Sequence, residues 1–257
     1  MLRPLDPTSD RSRYRQIADH LREAINAGEI APGEQLPSER ELMEQYDAAR
    51  GTARQAISLL RSEGLIETEH GRGAFVRKRP AVRRVAHDRF LRRHRQAGNA
   101  AYLAEMETAG RTPEVEILEV GRAPAPADAA ERLELEESAS VLVRRRRYLA
   151  DGFPMELATS YVPWSIAEGT QMTEANTGPG GIYARIEERG HQLERFAEEV
   201  TARMPSPEEA KALRLMPGVP VIGVVRTAYD SEGRPVEVCD TVMAADRYVL
   251  TYELPAR

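Results

Sequence analysis

The stretch that decides the fold of the first part of this chain is Leu36-Pro37-Ser38-Glu39-Arg40-Glu41-Leu42. Ser38 followed by Glu41 has the spacing of a capping box, in which a hydroxyl and a carboxylate each satisfy a free backbone N–H at a helix start. The box predicts a helix that begins after Ser38, with Arg40 in its first turn beside the positive helix end. A basic side chain in this position, followed by a second helix, is typical of proteins that bind a phosphate backbone and a DNA groove.

The residues around this stretch predict three helices and a hairpin. Apolar residues at helical spacing favour a first helix over residues 12–27, which Gly28 ends. The capped helix should end near Tyr46, and a third should run over 50–62. Strands at 65–68 and 74–77 follow, and the glycines on either side of Arg72 permit a tight turn between them. This order predicts a winged helix-turn-helix.

Charge is distributed unevenly along the 257 residues. The formal net charge is −5, but residues 1–80 are neutral, residues 81–100 carry +5 and residues 101–257 carry −10. Length and asymmetry favour a DNA-binding head on an acidic body. We expect a winged helix-turn-helix domain over 1–78, a basic linker over 79–100 whose Arg83 and Arg84 strengthen DNA binding without sequence preference, and a second domain over 101–257.

The second domain is predicted to be α+β with an antiparallel sheet. Asp151-Gly152 and the run from Asp230 to Gly233 are typical hairpin turns. The predicted strands are 113–122, 140–150, 154–162, 219–229, 235–244 and 248–253. The predicted helices are 181–188, 195–203 and 206–213.

Several motifs resemble those of a known family. The first domain resembles the GntR-family head in Gly28-Glu29-Ile30-Ala31-Pro32-Gly33, in the stretch quoted above, and in Gly71-Arg72-Gly73-Ala74-Phe75-Val76. The second domain looks like the UTRA ligand-sensing domain, whose fold resembles that of chorismate lyase, and this combination defines the HutC subfamily. Its motifs here are Asp151-Gly152-Phe153-Pro154, Tyr161-Val162-Pro163, Gly181-Ile182-Tyr183, Gly218-Val219-Pro220 and Gly233-Arg234-Pro235-Val236-Glu237.

The resemblance implies a homodimeric repressor. Two winged heads would bind a pseudo-palindromic operator on double-stranded DNA, and a small effector in the UTRA domain would control that binding. By position the family's DNA contacts fall on Arg40, Arg50 and Arg54, of which the last two lie four residues apart and so on one helix face. Further candidates are Thr52, Gln55, His70, Gly71 and Arg72.

One departure from the family concerns the start of the third helix. Relatives have Val-Ser or Val-Thr where this chain has Ala48-Ala49. Alanine at an N-cap costs about 0.5–2 kcal/mol relative to Ser or Thr. Gly51 then adds flexibility in the first turn. We therefore hypothesise that the recognition helix frays at its start when DNA is absent.

The run Arg144-Arg145-Arg146-Arg147 lies in a predicted strand, so its register decides which arginines share a face. A two-residue loop would set Glu156 opposite Arg147, and a three-residue loop with a glycine bulge would set it opposite Arg146. The second choice places Arg144, Arg146 and Glu156 on one face. That arrangement resembles relatives that bind sugar phosphates, where two arginines hold the phosphate and the glutamate a sugar hydroxyl.

The family pattern implies further effector-binding residues, which are Gly181, Tyr183, Arg226 and Glu237. The glycines before Tyr183 offer free N–H groups at a helix start, a favourable place for an anion. Phosphate-binding relatives have Ser where Gly181 stands, which argues against phosphate but not against another anionic ligand. Alternatively, the arginines pair with acids across the sheet or at a dimer interface.

The remaining inferences concern function class. The sequence has no nucleophile pair, metal-ligand cluster or glycine-rich nucleotide loop, so we expect no enzyme activity, no cofactor and no metal. A single Cys239 and the absence of an apolar leader or spanning run favour a soluble cytoplasmic protein with no membrane partner. An alternative function is a DNA-binding protein whose second domain only dimerises and binds no effector.

Overall fold

The structure, a computed structural model, describes residues 4–69, 71–77, 82–85 and 101–253. The chain divides into two compact units whose main boundary falls near residue 80. Helices and strands are numbered here in chain order over the described residues.

The first unit is a three-helix head with a hairpin. Its elements are α1 (Arg13–Asn26), α2 (Glu39–Tyr46), α3 (Arg50–Ser62), β1 (Ile66–Glu69) and β2 (Gly73–Val76). The two strands pair antiparallel, with Ile66 opposite Val76. The helices bury one apolar cluster that includes Leu21, Leu42 and Leu60. The predicted winged helix-turn-helix is confirmed.

The starts of α2 and α3 differ. At α2 the predicted capping box is present, because the Glu41 N–H donates to Ser38 Oγ at 3.3 Å and the Ser38 N–H donates to the Glu41 carboxylate at 2.8 Å. At α3 the N-cap is Ala49, whose side chain accepts no hydrogen bond. The recognition helix thus begins without the side-chain cap that α2 has.

The second unit is built on a six-stranded antiparallel sheet with strand order β4-β5-β6-β9-β8-β7. Two shorter strands, β3 and β10, pair in parallel as a separate small sheet. The strands are β3 (Val82–Val85), β4 (Pro113–Pro124), β5 (Ser140–Ala150), β6 (Phe153–Pro163), β7 (Leu193–Arg203), β8 (Val221–Asp230), β9 (Pro235–Ala244) and β10 (Tyr248–Thr251). The helices are α4 (Ala101–Thr108), α5 (Ala127–Arg132), α6 (Trp164–Ala167), α7 (Gly181–Glu188) and α8 (Pro207–Ala212), with a 3₁₀ turn at Gln171–Thr173. The predicted α+β class is confirmed.

Two sequence predictions about these elements need correction. Residues 195–203 were predicted to be helical but belong to β7, which pairs along β8 from Leu193 opposite Asp230 to Arg203 opposite Val221. The Ala and Glu residues favour a helix, but the strand pairing outweighs that propensity. Residues 82–85, predicted as linker, form β3 in the second unit.

The hairpin between β5 and β6 has a register that neither sequence alternative predicted. Asp151 and Gly152 form a two-residue loop with φ of +51° and +76°, typical of a tight hairpin turn. A bulge then shifts the pairing so that Glu156 lies opposite Tyr148 rather than Arg147 or Arg146. Even so, Arg144, Arg146 and Glu156 share one face, as the second alternative required.

The missing cap at α3 gives a first prediction. Replacing Ala49 with Ser should stabilise the start of α3 by about 1 kcal/mol, because a hydroxyl can accept a free N–H of the first turn. Hydrogen exchange of the Gly51 and Thr52 amides in the DNA-free protein should slow in this variant. As the reciprocal control, Ser38→Ala should speed exchange at the start of α2. Strong protection of Gly51 and Thr52 in the unmodified protein would contradict the fraying hypothesis.

Candidate functional site

The exposed face of α3 carries two arginines. The side chains of Arg50 and Arg54 are 71% and 63% exposed, whereas Ala53 and Ala56 are buried on the opposite face. Gln55 is exposed and Thr52 is half-buried beside them. Packing of the apolar face therefore directs the arginines outward, as the helical spacing predicts.

A carboxylate from α2 lies between these arginines. Glu39 Oε2 accepts a hydrogen bond from Arg50 Nε at 3.0 Å, and Glu39 Oε1 accepts one from Arg54 Nε at 3.2 Å. These two hydrogen bonds lower the pKa of Glu39 from its usual value, and the bond from Arg54 has the larger effect. Glu39 is therefore ionised at neutral pH. Glu39 was not among the residues predicted for DNA binding, although it lies next to the capping residue Ser38.

The other predicted DNA contacts lie on α2 and the hairpin. Arg40 is 83% exposed, with Nε 3.9 Å from Glu44. Gly71 and Arg72 are exposed at the hairpin turn, and Gly71 has a φ of +75° that favours glycine. Arg72 pairs with Glu69, and its backbone carbonyl accepts a hydrogen bond from Gln35 at 2.8 Å. His70 lies outside the described residues.

In the second unit, the sheet register lines up polar side chains on one face. Arg144 lies opposite Ser160, Ser160 opposite Cys239, and Cys239 opposite Arg226. Arg226 in turn lies opposite Glu198 on the edge strand β7. One row across five strands thus brings together residues that are far apart in sequence.

Three predicted effector residues form a hydrogen-bonded chain beside this row. Arg226 Nε donates to the Tyr183 hydroxyl at 2.9 Å, and that hydroxyl donates to Glu237 Oε2 at 2.9 Å. Burial, with the Glu237 carboxylate, raises the pKa of Tyr183 well above its usual value, although Arg226 acts in the opposite direction. Tyr183 therefore stays a neutral phenol that can donate to Glu237.

Arg146 borders the same cluster and leaves bonding capacity unused. Its Nη2 donates to the Ser160 hydroxyl. Within the described part of the chain, the buried Arg146 Nε and Glu237 Oε1 have no hydrogen-bond partner. A buried polar atom without a partner costs free energy, so the cluster has one donor and one acceptor available for a ligand.

The family models match both units. The model of the bacterial regulatory proteins of the gntR family matches residues 13–76, and the model of the UTRA domain matches residues 108–249. The chain belongs to the GntR family and carries a UTRA domain. It is 32% identical to an HTH-type transcriptional regulator of Streptomyces coelicolor, over 94% of this chain and 92% of that protein. The HTH-type transcriptional repressor NagR of Bacillus subtilis is 30% identical, over 93% of each chain.

A solved structure agrees with this assignment. A crystal structure described as a GntR-family transcriptional regulator is 31% identical and superposes with a TM-score of 0.69, covering 96% of this chain and 99% of that chain. The protein is therefore a helix-turn-helix transcriptional regulator and not an enzyme. None of the described helices is both long and apolar enough to cross a membrane.

Two residues predicted to bind effector in the UTRA domain have other partners. The Arg144 guanidinium donates to the backbone carbonyls of Met172, Glu174 and Ala175. Burial, assisted by Arg146, lowers the pKa of Arg144 to about 10. Arg144 thus anchors the segment around the 3₁₀ turn through both of its terminal nitrogens, and its buried Nε has no hydrogen-bond partner among the described residues.

Glu156 is the second such residue, and it forms a buried ion pair with Arg84. Arg84 also lies 3.3 Å from Glu105, and its side chain is 4% exposed. The expectation that Arg84 strengthens DNA binding is therefore wrong, because its charge is neutralised inside the second unit. Arg83, its neighbour on β3, is exposed. The local sequence does not show which of Arg83 and Arg84 is buried, because the acidic partners of Arg84 are distant in sequence.

The predicted anion site at the start of α7 is only partly available. Gly181 has a φ of +69°, and its N–H donates to the Gly178 carbonyl at 3.3 Å. That amide is therefore already engaged. Gly181 contributes the turn that positions Tyr183, two residues further on, against the cluster.

The burial of the Arg84–Glu156 pair gives a second prediction. Replacing Glu156 with Gln should lower the free energy of unfolding by about 3 kcal/mol, because it leaves a buried guanidinium with one carboxylate partner fewer. Chemical denaturation of the full chain measures this. The matched control is Glu119→Gln, which removes the exposed partner of Arg145 and should cost less than about 1 kcal/mol. An equal loss of unfolding free energy in the two variants would contradict a structural role for the buried Arg84–Glu156 ion pair.

Proposed function

We propose that this regulator is a repressor of the HutC subfamily that acts in the cytoplasm as a homodimer on a pseudo-palindromic operator. A small molecule bound to the UTRA domain would release it from DNA. The observation that carries the proposal is the exposed pair Arg50 and Arg54 on α3 of a winged helix-turn-helix. The relative NagR of Bacillus subtilis is a transcriptional repressor, which supports repression as the direction of regulation.

In the proposed complex, α3 enters the major groove. Arginine forks bidentately onto O6 and N7 of guanine, so Arg50 and Arg54 would read guanines in each half-site. Arg40, at the start of α2, would bind phosphate, as basic groups at helix starts commonly do. The exposed hairpin turn with Gly71 and Arg72, and His70 beside it, would reach the neighbouring minor groove. Thr52 and Gln55 would make lesser contacts.

The proposed effector site consists of Arg146, Tyr183, Arg226 and Glu237. Its two unused atoms require a ligand with an acceptor for Arg146 Nε and a hydrogen-bond donor for Glu237 Oε1. We propose that the acceptor is an anionic group, because the cluster contains the guanidinium groups of Arg146 and Arg226. Arg144, Glu156 and Gly181 would shape the site. The Arg144 terminal nitrogens, the Glu156 carboxylate and the Gly181 amide would not contact the ligand, because each already has a partner inside the protein.

The operator contacts give a third prediction. Arg50→Ala and Arg54→Ala should each reduce discrimination between the selected operator and unrelated DNA by about 1–3 kcal/mol, because each removes a base contact. Fluorescence anisotropy on both DNAs measures the change. The control is Arg61→Ala, which removes an exposed arginine from the last turn of the same helix and should leave discrimination unchanged. Unchanged discrimination in both test variants would show that the recognition surface is misassigned.

The effector site gives a fourth prediction. In calorimetric titrations of the full chain with phosphorylated sugars and with small carboxylates, one class should bind. Glu237→Gln should weaken that binding at least about tenfold, because the neutral amide is a weaker acceptor for a donor buried with it. Glu188→Gln is the control, because Glu188 lies on the same helix, is largely exposed and pairs with Arg185. No heat from any class would favour the alternative that the second domain only dimerises.

A further inference from the structure

We propose that Glu39 is a specificity-determining residue: its carboxylate positions Arg50 and Arg54 for the operator and competes with phosphates of unrelated DNA. The inference rests on the proposed function of α3 in reading DNA. Glu39 would act through the two arginines, and so it is a positioning residue and not itself a base contact.

The first argument is geometric. Glu39 accepts from the Nε atoms of both arginines, and its Oε2 also lies 3.5 Å from Arg54 Nη2. Neither terminal nitrogen of Arg50 donates a hydrogen bond to any of the described residues. A guanidinium held by Nε can still present its terminal nitrogens as a two-donor fork. Glu39 therefore restrains the Arg50 side chain, which would otherwise sample many rotamers. It also leaves the two terminal nitrogens of Arg50 available to bind guanine.

The second argument is energetic. The Glu39 side chain is only 34% exposed although both arginines are largely exposed, so one half-buried acid serves two surface cations. A phosphate that approached either arginine on unrelated DNA would be repelled by this carboxylate, because both groups carry negative charge. A guanine edge carries no net charge, so operator guanines can bind the free fork without that repulsion. The same carboxylate therefore favours base reading over backbone binding.

The location of Glu39 makes the test feasible. It lies in the first turn of α2, whose cap is formed by Ser38 and Glu41 and does not use Glu39. Variants at position 39 therefore leave the capping box intact. Thermal unfolding followed by circular dichroism verifies this for each variant.

Three variants separate position from charge. Glu39→Gln removes the charge and weakens both hydrogen bonds. Glu39→Asp keeps the charge on a side chain one methylene shorter, which cannot reach both Nε atoms in this geometry. Glu44→Gln is the matched control, because it removes an acid of the same helix that lies 3.9 Å from Arg40 and is 67% exposed.

The measurement is the dissociation constant of the full chain for selected operator and for unrelated DNA at one salt concentration. Glu39→Gln should bind unrelated DNA about two- to fivefold more tightly and lose about fivefold in the operator preference. Glu39→Asp should lose a similar preference while its affinity for unrelated DNA stays within twofold of the unmodified protein. Glu44→Gln should keep the preference.

Two results would overturn the proposal. One is an unchanged operator preference in both Glu39 variants, and the other is an equal loss of preference in Glu44→Gln. Failure of the proposed function looks different, because then the unmodified protein shows no preference, or Arg50→Ala and Arg54→Ala both retain it.

Discussion

The free-energy cost of removing a guanidinium from water governs how charge is arranged in both units. In the second unit, Arg84 is buried against Glu156 and Glu105, and Arg144 is buried against three backbone carbonyls. Arg226 is buried with Tyr183, beside Glu237. These three arginines take their acceptors from helices, strands or loops that are distant in sequence. These pairings favour the observed packing, because leaving a buried charge unmatched would cost several kcal/mol.

The same constraint separates structural charges from those available for binding. Arg84 is paired with two carboxylates, and both terminal nitrogens of Arg144 donate to backbone carbonyls, so these guanidinium groups mainly hold the structure together. Arg146 and Glu237 each retain an unpartnered buried atom, which is the property expected of a polar ligand site. In the head, Arg50 and Arg54 remain largely exposed and share Glu39, so DNA can bind them without the breaking of a buried ion pair.

Local signals in the sequence were sufficient for the head and insufficient for the UTRA domain. Ser38 and Glu41 lie three residues apart, and Ala53, Ala56 and Leu60 repeat at helical spacing, so helix starts and faces follow from neighbouring residues. The strand at 193–203 depends on pairing with β8, and the position of Glu156 depends on a bulge. The partners of Arg84 and Arg144 are likewise remote in sequence. The candidate residues Tyr183, Arg226 and Glu237 were named by family resemblance, and only the packing of α7 against the sheet shows that they form hydrogen bonds with one another.

The central claim is that the exposed face of α3 reads guanines through Arg50 and Arg54. Methylation interference on the selected operator measures this most directly, because a methyl group on guanine N7 blocks the acceptor that arginine uses in the major groove. Methylation of one or two guanines in each half-site should prevent binding of the unmodified protein. In Arg50→Ala or Arg54→Ala, methylation of one of these guanines should no longer affect binding. Binding that tolerates methylation of every guanine in both half-sites would contradict the claim.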